Sequence, residues 1–275
     1  MDCIIKTQGL NYSYHNGQRA LFDVNIAIKQ GEKTAVIGSN GSGKSTLFLC
    51  LNGINKPQNG KVFFKGKEVD YSSKGLLNLR QSVGIVFQNP DDMIFSSSVR
   101  QDIAFGLLNM GFSNIQAEEK IKSISKFLNL ENLLHKPVHE LSGGEKKRVS
   151  LAGVMVMEPE GIILDEPGAY LDTLNAKTVY KIIDSLSQKG KTVIISSHNM
   201  DFVLNWADSV IVLKDGKVVF NGKTESLFLN NELLNFAGLD EPQIIKTYKI
   251  LINKGIIPKN SPVPKNITDL EMLIK

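Results

Sequence analysis

Cysteine is nearly absent, and two classes of scaffold go with it. Cys3 and Cys50 are the only two in 275 residues, too few for a disulfide framework or a metal cluster. Both are expected to be structural and reduced. Long apolar runs are absent as well: Ile162-Ile163-Leu164 and Val210-Ile211-Val212-Leu213 fall far short of the roughly 20 residues that cross a bilayer. No segment is therefore expected to span a membrane. The opening Met1-Asp2-Cys3-Ile4-Ile5-Lys6 has no basic stretch leading into a long apolar one, so no secretory leader is expected and the chain should stay in the cytoplasm. Charge of one sign is scarce too. Thirty-two basic residues against 28 acidic ones leave +4, scattered along the chain, and no nucleic-acid partner is expected. Neither internal repeats nor low-complexity tracts are visible.

What is present is a core-sized apolar content, 42%, and a rhythm. Strand-like runs at 34–37, 83–87, 161–164 and 193–196 are followed by helix patterns at 45–52, 99–108, 174–186 and 200–206. Such alternation predicts an α/β fold, a mostly parallel sheet covered by helices. The first 30 residues differ: Leu21, Val24, Ile26 and Ile28 lie between turn signals at Asn16-Gly17 and Gln30-Gly31. They predict a small N-terminal antiparallel β-subdomain. Strand signals vanish across 99–157, where a helical subdomain is expected, with Ser113-Asn114-Ile115-Gln116 as a capping box. A hairpin is expected around Asp215-Gly216. Residues 233–275, with Pro258, Pro262 and Pro264, read as a C-terminal extension to a domain of residues 1–232.

Gly38-Ser39-Asn40-Gly41-Ser42-Gly43-Lys44-Ser45-Thr46 joins an apolar strand to a helix, the context in which G-x-x-x-x-G-K-[ST] forms a P-loop. Three glycines let successive N–H groups turn inward around phosphate oxygens, at the positive end of a helix. Lys44 can then reach the β- and γ-phosphates of a nucleotide and Ser45 can offer a hydroxyl to Mg²⁺. Ile162-Ile163-Leu164-Asp165-Glu166-Pro167 is a buried strand ending in two carboxylates, where open parallel sheets place their ligands. Asp165 suits Mg²⁺, largely through water; Glu166 suits the attacking water. His198 follows another apolar strand and should emerge at the same edge, where it can sense the γ-phosphate. The amide oxygen of Gln88 can complete the metal or water shell.

Leu141-Ser142-Gly143-Gly144-Glu145 resembles the signature motif of ATP-binding-cassette ATPases. It opens a helix whose positive end can face a phosphate; the resemblance implies that this phosphate belongs to ATP on a second subunit. It implies further that Tyr14 stacks on adenine, with Tyr12 the alternative two residues away. Gln88 becomes the Q-loop, Ala169-Tyr170-Leu171-Asp172 the D-loop, and His198 the switch histidine. Tyr170 departs from the small residue more usual there. The working unit implied is a dimer with two complete sites, made of two copies or of one copy and a paralogue.

Gln88-Asn89-Pro90-Asp91-Asp92-Met93-Ile94-Phe95 resembles the same region of the cobalt and energy-coupling-factor importers, with Met93 in place of their glutamine. That branch implies a transmembrane coupling subunit, against which exposed Met93, Ile94 and Phe95 are expected to lie. It also implies a place at the cytoplasmic face of the membrane and a role for the C-terminal extension in dimerisation. The expected function is ATP hydrolysis driving cobalt uptake. Vitamin uptake is the alternative within the branch; a soluble ABC ATPase acting on nucleic acid or ribosomes is the alternative outside it, and a P-loop kinase or GTPase is a third.

Overall fold

The computed structural model describes residues 2–274. Strands β1 (Cys3–Ser13), β2 (Arg19–Val24) and β3 (Ala27–Lys29) pair antiparallel before β4 (Lys33–Ile37) starts a second sheet. After α1 (Lys44–Leu51), β5 (Asn59–Phe64) and β6 (Lys67–Glu68) return to the first sheet. Helix α2 (Ser73–Ser82) leads into β7 (Val83–Val86), and then come α3 (Val99–Asn109), α4 (Asn114–Leu128) and α5 (Gly143–Met155). The chain continues through β8 (Gly161–Leu164), α6 (Thr173–Gln188), β9 (Thr192–Ser196), α7 (Met200–Trp206), β10 (Ser209–Lys214) and β11 (Lys217–Lys223). It closes with α8 (Thr224–Phe228), α9 (Asn231–Ala237), α10 (Gln243–Asn253) and α11 (Ile267–Leu273).

The second sheet runs β11-β10-β4-β9-β8-β7, with every neighbour parallel except β11. Strands β8 and β9 are buried along their whole length, which only a sheet covered on both faces allows. The pleat sends alternate side chains to opposite sides. Ile162, Leu164, Val193 and Ile195 join a large core with residues of α3 to α7, whereas Ile163 and Ile194 face α1 and the antiparallel sheet. The expected α/β class and antiparallel subdomain are therefore present.

Local chemistry explains the details. Ser113 and Gln116 form the expected capping box on α4, each satisfying a backbone donor that the first helical turn leaves free. At the β10–β11 hairpin, Asp215 and Gly216 have φ of +49° and +74°, the left-handed pair that a two-residue hairpin turn demands.

The structure also corrects the sequence reading. Two of the five strands of the antiparallel sheet are not N-terminal: β5 and β6 come after α1. Asn59, Gly60 and Lys61 are exposed and only Val62 of β5 is buried, so no alternation marks the strand. Helix α2 is likewise unmarked, because Leu79 is its only buried residue. Met93 and Ile94 do not stand out as an exposed pair. Both pack against the large core, and Met93 Sδ accepts the Phe87 N–H at 3.2 Å; the thioether fills the space under the turn. Phe95 alone remains exposed, edge-on to Phe105 with 4.7 Å between ring centroids. Residue 232 lies inside α9, and Leu234, Ala237 and Ile245 belong to the large core. Tyr248, Ile257 and Leu270 make a small separate cluster.

Burial separates the two cysteines. Cys50, in α1, is fully buried, and loss of water pushes its thiol up to about 12; only a thiolate attacks a disulfide reagent. At pH 8 the folded protein should react at the half-buried Cys3 and at Cys50 only after unfolding. Mass spectrometry that finds Cys50 modified in the native state would contradict this packing.

Candidate active site

Strand β4 ends in Ile37, and the chain then turns through three glycines that no other residue could replace without rearrangement. Gly38 has φ +151°, and a Cβ there would sit 2.1 Å from the Leu213 carbonyl oxygen; Gly43 has φ +104°, and its Cβ would meet Ala20 O at 2.7 Å. Gly41 has φ +76° with open space before it. The loop's N–H groups and the start of α1 thus form a phosphate-sized cradle. Lys44 folds back over it, donating from Nζ to Gly38 O at 2.9 Å and Ser39 O at 3.1 Å. Burial lowers the Lys44 pKa, and the nearby Glu166 and Asp165 oppose that shift.

The parallel strands bring the other groups to the same edge. Tyr14, Asn40 to Thr46, Gln88, Asp165, Glu166 and His198 all line one cleft of about 370 Å³. Tyr14 hydrogen-bonds Thr46 Oγ1 through its hydroxyl at 2.8 Å. Its alternative, Tyr12, packs against the smaller core and meets Tyr14 edge-on at 5.2 Å. Glu166 Oε1 lies 2.9 Å from His198 Nε2, yet it is buried and accepts no aligned hydrogen bond. Burial raises the Glu166 pKa, against the pull of His198 and Lys44. A carboxylate so placed is a stronger base than one in water. Asp165, 7% exposed, accepts a hydrogen bond from the Ser196 hydroxyl.

The donor set suits Mg²⁺. Among the described residues, no group of three or more His, Cys, Asp or Glu side chains is arranged to hold a metal ion. The cleft instead offers one hydroxyl (Ser45), one carboxylate (Asp165) and one amide (Gln88). A cation that keeps much of its water and takes the rest from phosphate oxygens fits such a site. The Ser42 hydroxyl, buried without a partner, is a further unsatisfied group in the loop.

Ser142, Gly143, Gly144 and Glu145 are not among the residues lining this cleft. Ser142 caps α5 by accepting the Glu145 N–H at 3.3 Å, and Glu145 Oε2 accepts the Ser142 N–H at 2.7 Å. That second bond holds the Glu145 carboxyl below its usual range. Gly143 is exposed and unobstructed, whereas a Cβ on Gly144 would strike Asn175 of α6 at 2.5 Å. The helix thus presents an open N-terminus that the same chain leaves uncovered. Tyr170, in the expected D-loop, is 85% exposed with φ +61°.

Three parts of the chain contribute side chains that escape the sequence motifs. Gln18 and Arg19 line the cleft, and the Arg19 guanidinium lies 4.4 Å over the Phe22 ring. Lys147, 1% exposed, donates to Phe87 O at 2.8 Å and Gln88 O at 3.0 Å, tying α5 to the segment that carries Gln88. Burial lowers its pKa to about 8. Ser196 is the third. A lysine within the run Glu145 to Arg148, or a serine at a strand end, carries no signal until the fold supplies its neighbours.

Known proteins resemble this chain along most of its length. A family described as "ABC transporter" matches residues 21–169. EcfA, an energy-coupling factor transporter ATP-binding protein of Methanocaldococcus jannaschii, is 43% identical over 255 residues, 93% of this chain and 91% of that protein. This chain is an ABC ATPase. A putative ABC transporter ATP-binding protein of Methanosarcina mazei is 44% identical over 99% of the chain, which spans only 60% of that longer relative. The cbiO1 structure from Clostridium perfringens, described as part of the ABC transporter complex cbiONQ, superposes with a TM-score of 0.76 at 42% identity. It covers 92% of this ABC ATPase and 100% of that chain. A dimeric ATP-binding cassette in a post-hydrolysis state with ADP and Pi aligns at a TM-score of 0.73 and 26% identity, over 80% of this chain and 98% of that one.

The Lys147 tether makes a stability prediction. Lys147→Ala empties the space and strands two carbonyls, and should cost about 2–5 kcal/mol; Lys147→Met keeps most of the volume and should cost about 1–3 kcal/mol. Urea unfolding of the two variants checks the order, and equal parental stability in both would contradict the tether.

Proposed function

We propose that this ABC ATPase hydrolyses ATP to drive a membrane importer of the cobalt or energy-coupling-factor type, and that it works as one of two ATPase subunits. One observation carries the reading: the P-loop, two strand-end carboxylates and His198 share a cleft while the signature helix opens elsewhere. In this reading the loop N–H groups and Lys44 bind the phosphates, Tyr14 stacks on the base, and Ser45, Gln88 and Asp165 hold Mg²⁺. The ion, when bound, supplies positive charge at the outer phosphates. Glu166 takes the proton of the attacking water. His198, beside it, orients the γ-phosphate. Ser142 to Glu145 of the second subunit close the site, whether that subunit is another copy or a paralogue.

The partner reading rests on a groove of about 330 Å³ lined by Ser97, Arg100, Phe105 and Leu108, with Phe95 exposed nearby. An amphipathic helix of a transmembrane subunit fits such a groove, and would hold the ATPase at the cytoplasmic face of the membrane. Among the described residues no helix is long and apolar enough to cross it. Cobalt is the proposed solute, on the resemblance of residues 88–95 to the cobalt and energy-coupling-factor importers. Vitamins are the second reading on the same resemblance, and relatives described as energy-coupling factor transporter ATP-binding proteins support it equally.

Glu166→Gln should lower turnover by roughly 10² to 10⁴, the range for a lost general base, with ATP affinity retained. Parental turnover in that variant rules out the role given to Glu166. ATP-dependent cobalt uptake by vesicles carrying the co-purified membrane subunits tests the solute: uptake of a vitamin with no cobalt uptake selects the second reading.

A further inference from the structure

Strand β9 runs Thr192-Val193-Ile194-Ile195-Ser196 and is buried throughout. Its last residue, 0% exposed, places a hydroxyl where its neighbours place aliphatic groups. A buried hydroxyl has one proton to give and lone pairs to receive, and leaving them unused is unfavourable. Ser196 uses both on the adjacent strand end. Its Oγ accepts the Glu166 N–H at 2.8 Å and donates its own proton to Asp165 Oδ1 at 2.5 Å. The directions are fixed, since an amide N–H only donates and the hydroxyl's single proton is then left for the carboxylate.

The Glu166 peptide is the unusual partner. Its φ is +44°, a left-handed conformation that a residue with a side chain adopts only where its surroundings over-determine it. Here the carboxylate that follows from that turn lies 2.9 Å from His198 Nε2. The bond to Ser196 anchors the turned peptide to the end of β9, the strand that also delivers His198 two residues later. The same hydroxyl commits one oxygen of Asp165, a residue that lines the cleft, to the protein.

We propose that Ser196 is a positioning residue for ATP hydrolysis: a single hydroxyl sets both the Asp165 carboxylate and the strained Glu166 peptide. The proposal rests on the roles given above to Asp165 at Mg²⁺ and Glu166 at water. It makes the two roles interdependent, because loss of one hydroxyl loosens both.

Ser196→Ala removes the hydroxyl with little change of volume, and Ser196→Thr restores it. Turnover and the binding of the fluorescent analogue MANT-ATP are measured across Mg²⁺ concentrations and in EDTA. Ser196→Ala should lose about 10- to 100-fold in kcat, the range for a group one contact removed from a metal. Its Mg²⁺ midpoint for MANT-ATP binding should rise about tenfold, with affinity in EDTA unchanged and Ser196→Thr close to parental. Parental kcat and Mg²⁺ midpoint in Ser196→Ala overturn the proposal. So does a loss of affinity in EDTA that matches a fall in Tm, the mark of a merely structural hydroxyl. Normal turnover in Glu166→Gln would instead remove the base role, and the Mg²⁺ midpoint, which reports on the metal donors and not on Glu166, separates the two failures.

Discussion

Everything in this molecule that handles phosphate depends on strands β4, β7, β8 and β9 ending together at one edge of a sheet buried on both faces. Parallel pairing through Ala35, Ile163 and Ile195 leaves no freedom in where each strand stops. The residues just beyond the ends are therefore delivered to one place: Gly38, Gln88, Asp165 and His198. Strands β7 and β8 are apolar throughout, and the first polar side chains beyond them, Gln88 and Asp165, both line the cleft. A one-residue slip of β8 would exchange Ile162 and Leu164 with Ile163 between the two cores, and would turn Asp165 away.

Charge is arranged with similar economy. Lys44 donates to two carbonyls of its own loop and feels the charge of two carboxylates, Glu166 and Asp165. Burial works against the charged forms of Lys44, Lys147 and Glu166 alike; Glu166 offsets part of that penalty for each lysine, and each lysine offsets part of it for Glu166. The signature helix offers the complementary feature, an uncovered positive end at Gly143 that its own chain does not use.

Much of this was legible in the sequence, and the limits are instructive. Motifs whose function needs a fixed spacing, such as residues 38–46 and Asp165-Glu166, announce themselves because the chemistry constrains every position. The burial-driven strands β4, β8 and β9 were legible for the same reason. Strand β5 and helix α2 were not, since each hides a single side chain, Val62 or Leu79, and the pattern carries no period. Met93 and Ile94 looked like surface groups for a partner and proved to be packing beneath the turn that carries Gln88. Ser196 and Lys147 act only through neighbours some 30 and 60 positions away in sequence, so no local reading could assign them.

The proposed function requires a nucleotide gripped by two protomers, with Lys44 of one and Ser142 of the other touching the same phosphates. Sedimentation equilibrium of the Glu166→Gln protein with Mg-ATP measures this directly. The predicted result is a species of twice the chain's mass, or one chain paired with its paralogue, that reverts to single chains when Ser142 is changed to Arg. An ATP-loaded species of one chain's mass, both alone and bound to its membrane partner, would contradict it.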